Sequence, residues 1–185
     1  MKKYRTILID PPWEYGVWGK ANPKSRPNSI TYPMPYKTMT MDEIKNILIM
    51  ELAEENCELY LWTTQKYLPV SFNVLEGWGF KYCQILTWCK KPRGTGQGGA
   101  YCPTTEFLIL GRVGKMPKAK RVNSTWWQVK RPHNSHSTKP EFFQEMIETV
   151  SDEPRLELFA RRKRDGWDSW GNEIESDIEL NCEMK

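Results

Sequence analysis

A short apolar run, Thr6 to Ile9, ends on Asp10 and is followed at once by Pro11, Pro12 and Trp13. A buried strand that stops on a carboxylate puts that group at the strand's carboxyl end, where open α/β sheets bind their ligands. Proline has no N–H and a fixed φ, and Pro12 holds Pro11 in an extended conformation. The turn therefore holds two rigid acceptors, the Asp10 carboxylate and the Pro11 carbonyl. Two neighbouring acceptors suit a guest with two N–H bonds, an NH2 group, and Trp13 supplies a flat face for the ring that carries it. The exocyclic amine of adenine or cytosine fits this description. Its lone pair is delocalised into the ring. Accepting both N–H bonds favours a more tetrahedral nitrogen with a freed lone pair, which is positional and electrostatic catalysis. The plainer alternative is a strand-to-loop turn, where Asp-Pro is common.

Charge along the chain points to a polyanionic partner. The whole protein, 185 residues, has a net charge of +4. Between Gly77 and Lys139, however, twelve bases face a single acid, Glu106, so this third of the chain is about +11 and the remainder negative. A nearly acid-free segment suits nucleic acid. The candidate contacts are Lys90, Lys91, Arg93, Lys118, Lys120, Arg121, Lys130 and Arg131, with Trp126 and Trp127 able to stack on bases. Nine tryptophans are many for this length. Trp62, Trp78 and Trp88 read as core, whereas Trp13, Trp18, Trp126, Trp127, Trp167 and Trp170 fall in expected loops.

The elements that must carry these groups alternate between strand and helix. Thr6–Ile9 is a strand. Thr40 and Glu43 form a capping box, which starts a helix expected to run to about Asn56, with Met41, Ile44, Ile47, Leu48 and Leu52 on its apolar face. "CELYLWTT" is a strand, Lys66–Glu76 a helix, "FKYCQILTWCK" and "TEFLILG" strands, and a further helix begins near Pro140. "RLELFA" is the last strand. Residues 14–39, 90–102 and 112–138 read as loops, the first a candidate lid and the others candidate strand-holding segments. This order predicts an α/β fold, a mainly parallel sheet with helices on both faces. It forms one domain over 1–185, in which 174–185 is a frayed acidic tail.

Some classes are set aside. Five cysteines without a C-x-x-C pair, and two histidines without cysteine partners, predict neither a disulfide framework nor a metal site. No apolar run is long enough to span a membrane, and Ile7–Ile9 is too short for a signal-peptide core, so the protein is expected to be cytoplasmic. Oligomeric state stays open, a homodimer included.

"ILIDPPW", "YPMPYKTMTMDEI", "LYLWTT", "HSTKPEFF", "LELFARR" and "WDSWGNE" occur in that order from Ile7 to Glu173. The chain thereby resembles the DPPW-type N6-adenine methyltransferases, the family that includes the catalytic subunit of the eukaryotic messenger-RNA adenosine methyltransferase. The resemblance implies a Rossmann-like methyltransferase fold with permuted motif order, the catalytic strand first and the cofactor segment last. It implies S-adenosylmethionine as methyl donor and adenine N6 as acceptor, in DNA rather than RNA for a small prokaryotic or phage-like member. The alternatives are an RNA adenine methyltransferase and a catalytically silent nucleic-acid-binding partner subunit, and the intact tetrapeptide argues against the second. By position, Asp10 and Pro11 would hold the amine, with Pro12 and Trp13 completing the pocket. Asp10, Lys139, Glu157, Arg161, Asn172 and Glu173 would bind the cofactor. The chain departs from the family pattern in having Lys163 where a histidine is usual. It also has few residues upstream of Asp10 to contact the cofactor's adenine.

Overall fold

The computed structural model describes residues 2–14, 37–90, 100–115, 120–132 and 138–180. Lys91, Arg93 and Lys118, Trp18, and most of the 14–39 and 90–102 loops lie outside the described residues.

Strands β1 (Tyr4–Ile9), β2 (Ala53–Thr63), β3 (Lys81–Lys90), β4 (Thr105–Val113), β5 (Trp126–Val129), β6 (Arg155–Leu158) and β7 (Asp168–Trp170) form one sheet in the order β5-β3-β4-β2-β1-β6-β7. Helices α1 (Met41–Lys45), α2 (Ile49–Leu52), α3 (Leu68–Gly77) and α4 (Glu141–Val150) complete the described fold. β1 runs parallel to β2 and β6, β6 to β7, and β3 to β5. Only β4 is antiparallel to its neighbours β2 and β3. Antiparallel neighbours need no crossover helix, which suits the glycine-rich stretch between β3 and β4. The expectation of a mainly parallel sheet therefore holds.

Helices cover both faces. Ile7, Ile9, Leu59 and Leu61 pack on one face with Ile44, Ile49, Leu52, Val74 and Leu75. Leu8, Tyr60, Trp62 and Leu108 pack on the other with Phe143, Met146 and Ile147 of α4. Alternate residues of β1 and β2 thus enter opposite cores, as a two-residue period requires.

The expected helix from Thr40 to Asn56 is corrected. Thr40 caps α1, and Glu43 completes the capping box, but α1 ends at Lys45 and a separate four-residue α2 follows. β2 already begins at Ala53, so the sheet claims residues that a longer helix would need. Leu48, assigned to the apolar face, is 57% exposed, and Ile49 is buried in its place. Two strands went unread, β5 inside 112–138 and β7 around Ser169. At four and three residues they are too short to show a period.

The tail is also corrected over its described part. The Asp177 N–H donates to the Ser169 carbonyl at 2.8 Å, and the Ser169 N–H donates to the Asp177 carboxylate at 2.9 Å. Ile178 and Leu180 pack against the core, so residues 174–180 dock on β7 rather than fray.

Candidate active site

The chain leaves β1 for β2 on one side and later returns to β6 on the other, so the strand order reverses at β1. Open α/β sheets form a crevice at such a point, beyond the strands' carboxyl ends. Asp10 lies there, its N–H directed to the Leu158 carbonyl at 3.5 Å. Its side chain faces a cleft of two lobes. Asp10, Lys139, Phe159, Arg161 and Glu173 line both lobes. Pro11, Pro12, Trp13, Thr64, Glu106 and Asn172 line the first alone, and Glu157 and Gln144 the second. All six residues expected to bind the cofactor therefore meet in one cleft, beside the four of the tetrapeptide.

The tetrapeptide is braced on both sides. The Trp13 N–H donates to the Pro11 carbonyl at 2.8 Å, and the Met39 N–H to the Pro12 carbonyl at 2.9 Å. The Trp13 indole donates to the Trp62 carbonyl at 3.1 Å and stacks on Tyr67 with centroids 5.0 Å apart. Trp13 is only 3% exposed. Its role as an open platform for a base is thus corrected: the ring is buried against Tyr67 and the Trp62 carbonyl and props the turn. The Pro11 carbonyl already accepts one bond, which leaves its second lone pair for a guest.

Lys139, just ahead of α4, donates to both Asp10 carboxylate oxygens, at 2.8 and 2.7 Å. Its ammonium also lies 3.5 Å from Glu106 and 5.4 Å from the Trp62 ring centre. Glu106 in turn pairs with Lys90. A chain of alternating charge, Asp10–Lys139–Glu106–Lys90, therefore runs from the cleft to the end of β3. Lys90 is corrected as a nucleic-acid contact, because this ion pair holds it and leaves its side chain 14% exposed. Glu106 was not read as a site residue, although its solitude among twelve bases was the available signal.

Two backbone features shape the opposite wall. Phe159 follows β6 with φ at 63°, a left-handed conformation uncommon outside glycine and frequent at functional sites. Its ring packs on Trp170. The Ala160 N–H donates to the Trp170 carbonyl at 2.9 Å, and a side chain at Gly171 would meet the Ala160 carbonyl oxygen at 2.0 Å. Only glycine permits this approach, which brings Asn172 and Glu173 beside Arg161. The Arg161 guanidinium lies 3.8 Å from the Glu173 carboxylate. Trp167 and Trp170, expected in loops, are core and near-core groups. Lys163 pairs with Asp177 at 2.6 Å, which turns it to the docked tail.

Burial raises the Asp10 pKa, and the Lys139 charge and its hydrogen bonds oppose that rise. Glu157 is pushed up to about 7 by burial and then by the like charge of Asp10, against a hydrogen bond from the Gln144 amide at 2.7 Å. The folded carboxyl keeps its proton to higher pH than the unfolded one, whose value is near 4.5. Stability from this group is therefore complete below about 4.5 and is lost as pH rises through about 7. Glu157→Gln cannot ionise. In thermal melts it is expected to stabilise the protein by about 1–3 kcal/mol near pH 8 and to leave it unchanged near pH 4.5.

Among the nucleic-acid candidates, Lys120, Arg121, Lys130 and Arg131 are exposed, and Trp126 is 62% exposed. Trp127 is half-buried: it packs on Phe142 and Phe143 at centroid distances of 5.9 and 6.0 Å, against the core rather than free for a base. Among the described residues no helix is long and apolar enough to cross a membrane.

Residues 4–173 match the MT-A70 family model. The chain belongs to the MT-A70 family. Its relatives include the type II methyltransferase M.MunI of a Mycoplasma species, 29% identical over 188 residues, covering 94% of this chain and 78% of the relative. The human N(6)-adenine-specific methyltransferase METTL4 is 29% identical, covering 94% of this chain and 38% of the relative. The human N(6)-adenosine-methyltransferase catalytic subunit METTL3 is 25% identical, covering 94% and 28%. The chain thus spans most of the bacterial relative and well under half of each human one. Within the MT-A70 match lie the Asp10 turn, Lys139 and the Arg161–Glu173 wall.

Proposed function

We propose that this MT-A70 chain, acting as one methyltransferase domain, transfers a methyl group from S-adenosylmethionine to the N6 amine of adenine in nucleic acid, with DNA the favoured polymer. The observation that carries this reading is the Asp10 carboxylate, held at the strand-order reversal between the two lobes of one cleft. The similarity to METTL4, named as an N(6)-adenine-specific methyltransferase, supports adenine N6 as the acceptor.

The residues around the cleft suit the cofactor's chemistry. Lys139 offers a cation to its carboxylate, Asp10 and Glu157 offer acceptors to its ammonium, and Asn172 and Glu173 offer acceptors to ribose hydroxyls. When bound, the cofactor supplies an electrophilic methyl group on a sulfonium. Asp10 and the Pro11 carbonyl would hold the amine, accept its two N–H bonds and turn its lone pair toward that methyl group. As the nitrogen gains the methyl group it must lose one proton. Asp10, with its raised proton affinity, is placed to take it directly or through water. In a duplex the base must first be flipped out, at about a few kcal/mol.

The exposed bases outside the cleft suit the phosphate backbone. Replacing Lys120 and Arg121 with alanine is expected to weaken binding uniformly across sequences and to lower the salt slope by roughly one to two. A salt series by fluorescence anisotropy checks this. The function itself is tested by labelled-methyl transfer to DNA and to RNA, followed by nucleoside mass spectrometry. N6-methyladenine in DNA is the expected product. N6-methyladenine in RNA alone would reassign the polymer, and transfer to neither would overturn the reading.

A further inference from the structure

Three side-chain polar atoms are fully buried without a hydrogen-bond partner among the described residues: Arg5 Nε, Ser169 Oγ and Thr64 Oγ1. Of these residues only Thr64 lines the cleft, in the lobe walled by Asp10, Pro11 and Pro12. Its neighbour Thr63 shows the contrast, since that hydroxyl meets the Ser71 hydroxyl at 2.7 Å in the core. A buried hydroxyl left without a partner costs free energy, and such groups are rare unless a ligand or water satisfies them.

Thr64 is also held rigidly. Its carbonyl accepts the N–H groups of Tyr67 and Leu68 at 3.0 and 2.8 Å, at the entry to α3. The next residue, Gln65, donates to the Thr105 hydroxyl at 3.0 Å and ties this turn to the start of β4, beside Glu106. Thr64 is thus fixed in the wall of the lobe that Asp10, Pro11 and Pro12 also line, and rotation about its Cα–Cβ bond, which breaks no hydrogen bond of the hydroxyl, turns that group to a guest in the lobe.

We propose that the Thr64 hydroxyl donates a hydrogen bond to a ring nitrogen flanking the amine of the target base, and so reads the base that Asp10 and Pro11 hold. This rests on the proposed adenine-N6 chemistry. The amine of adenine is flanked by two acceptors, N1 and N7. The amine of cytosine is flanked by one acceptor, N3, and by a C5–H. A donor fixed on the N7 side therefore accepts adenine and leaves its own hydrogen bond unmade against cytosine, whereas a donor on the N1 side fixes orientation without that discrimination.

The test pairs a deletion in the protein with a deletion in the base. Thr64→Val keeps the side-chain shape and removes the hydroxyl, Thr64→Ser keeps the hydroxyl, and Thr64→Ala serves if the valine protein does not fold. Each is assayed for labelled-methyl transfer to DNA with ordinary adenine, to DNA made with 7-deaza-dATP, and to DNA synthesised with 1-deazaadenine at the methylated position. The T64V protein is expected to lose about tenfold in kcat/KM on ordinary DNA while melting at or above the parent temperature. The parent is expected to lose a similar factor on one of the two analogues, and T64V to lose nothing further on that analogue. T64S is expected to behave as the parent does. Loss on 7-deazaadenine assigns the contact to N7, and loss on 1-deazaadenine assigns it to N1. Parental kcat/KM for T64V on ordinary DNA, or analogue losses of the same size in both proteins, overturns the proposal. A parent that methylates no adenine in any DNA or RNA instead overturns the adenine-N6 reading itself.

Discussion

Asp10→Asn is expected to lower kcat/KM for methyl transfer by about a thousandfold or more with the fold intact. Asparagine matches the shape of aspartate but keeps one acceptor and adds an NH2 donor. That donor faces the incoming amine, so one of the two N–H bonds of the base meets a repelling group. The neutral side chain also cannot take the departing proton. The fold should survive because Asp10 lies at the end of β1, beyond the ladder, and lines the cleft. Lys139 retains Glu106 at 3.5 Å. Sites arranged for chemistry often cost stability, so a small rise in Tm would fit. Circular dichroism and thermal melting supply the control, and steady-state transfer of labelled methyl supplies the rate. A fall of less than about tenfold would remove Asp10 from the reacting centre.

The second large effect is expected at Lys139. Its ammonium donates to both oxygens of Asp10 and also faces Glu106. Lys139→Met leaves Asp10 without its main cation, while Glu106 keeps Lys90, and takes away the proposed contact to the cofactor's carboxylate. Losing one partner of a partly buried charge pair costs about 2–5 kcal/mol, which is a loss of about thirtyfold to more than a thousandfold in kcat/KM. The pH dependence separates this account from simple damage. Lys139 lowers the proton affinity of Asp10 against the effect of burial. Without the lysine the Asp10 carboxyl holds its proton to higher pH. The acid limb of the rate profile should therefore move toward alkaline pH, and the KM for the cofactor should rise. A rate loss with an unmoved limb would mean that Lys139 acts on the cofactor alone.

Much of this site was legible because its determinants are local. An apolar run that stops on Asp-Pro-Pro dictates a strand end and a stiff turn, and both are present. The Thr40–Glu43 capping box formed as its spacing requires, although the helix it starts is short. The groups that were not legible depend on long-range contacts. Thr63 and Thr64 are the same residue type side by side, and only the packed sheet sends one hydroxyl to Ser71 and leaves the other without a partner. The left-handed turn at Phe159 has no signature in a residue that rarely adopts it. Trp127 and Trp126 read alike in the chain, yet β5 turns one to Phe143 and the other to solvent. Lys90 looked like a phosphate contact because the pairing of β3 with β4, which brings Glu106 beside it, joins segments separated by a long glycine-rich stretch.

The most direct measurement is a crystal structure of the protein with an unreactive cofactor analogue and a DNA strand carrying the target adenine. The account predicts the adenine amine in the lobe beside Pro12, its nitrogen within hydrogen-bond distance of both the Asp10 carboxylate and the Pro11 carbonyl. An amine held by other groups, with Asp10 still locked to Lys139 and away from the base, would contradict it.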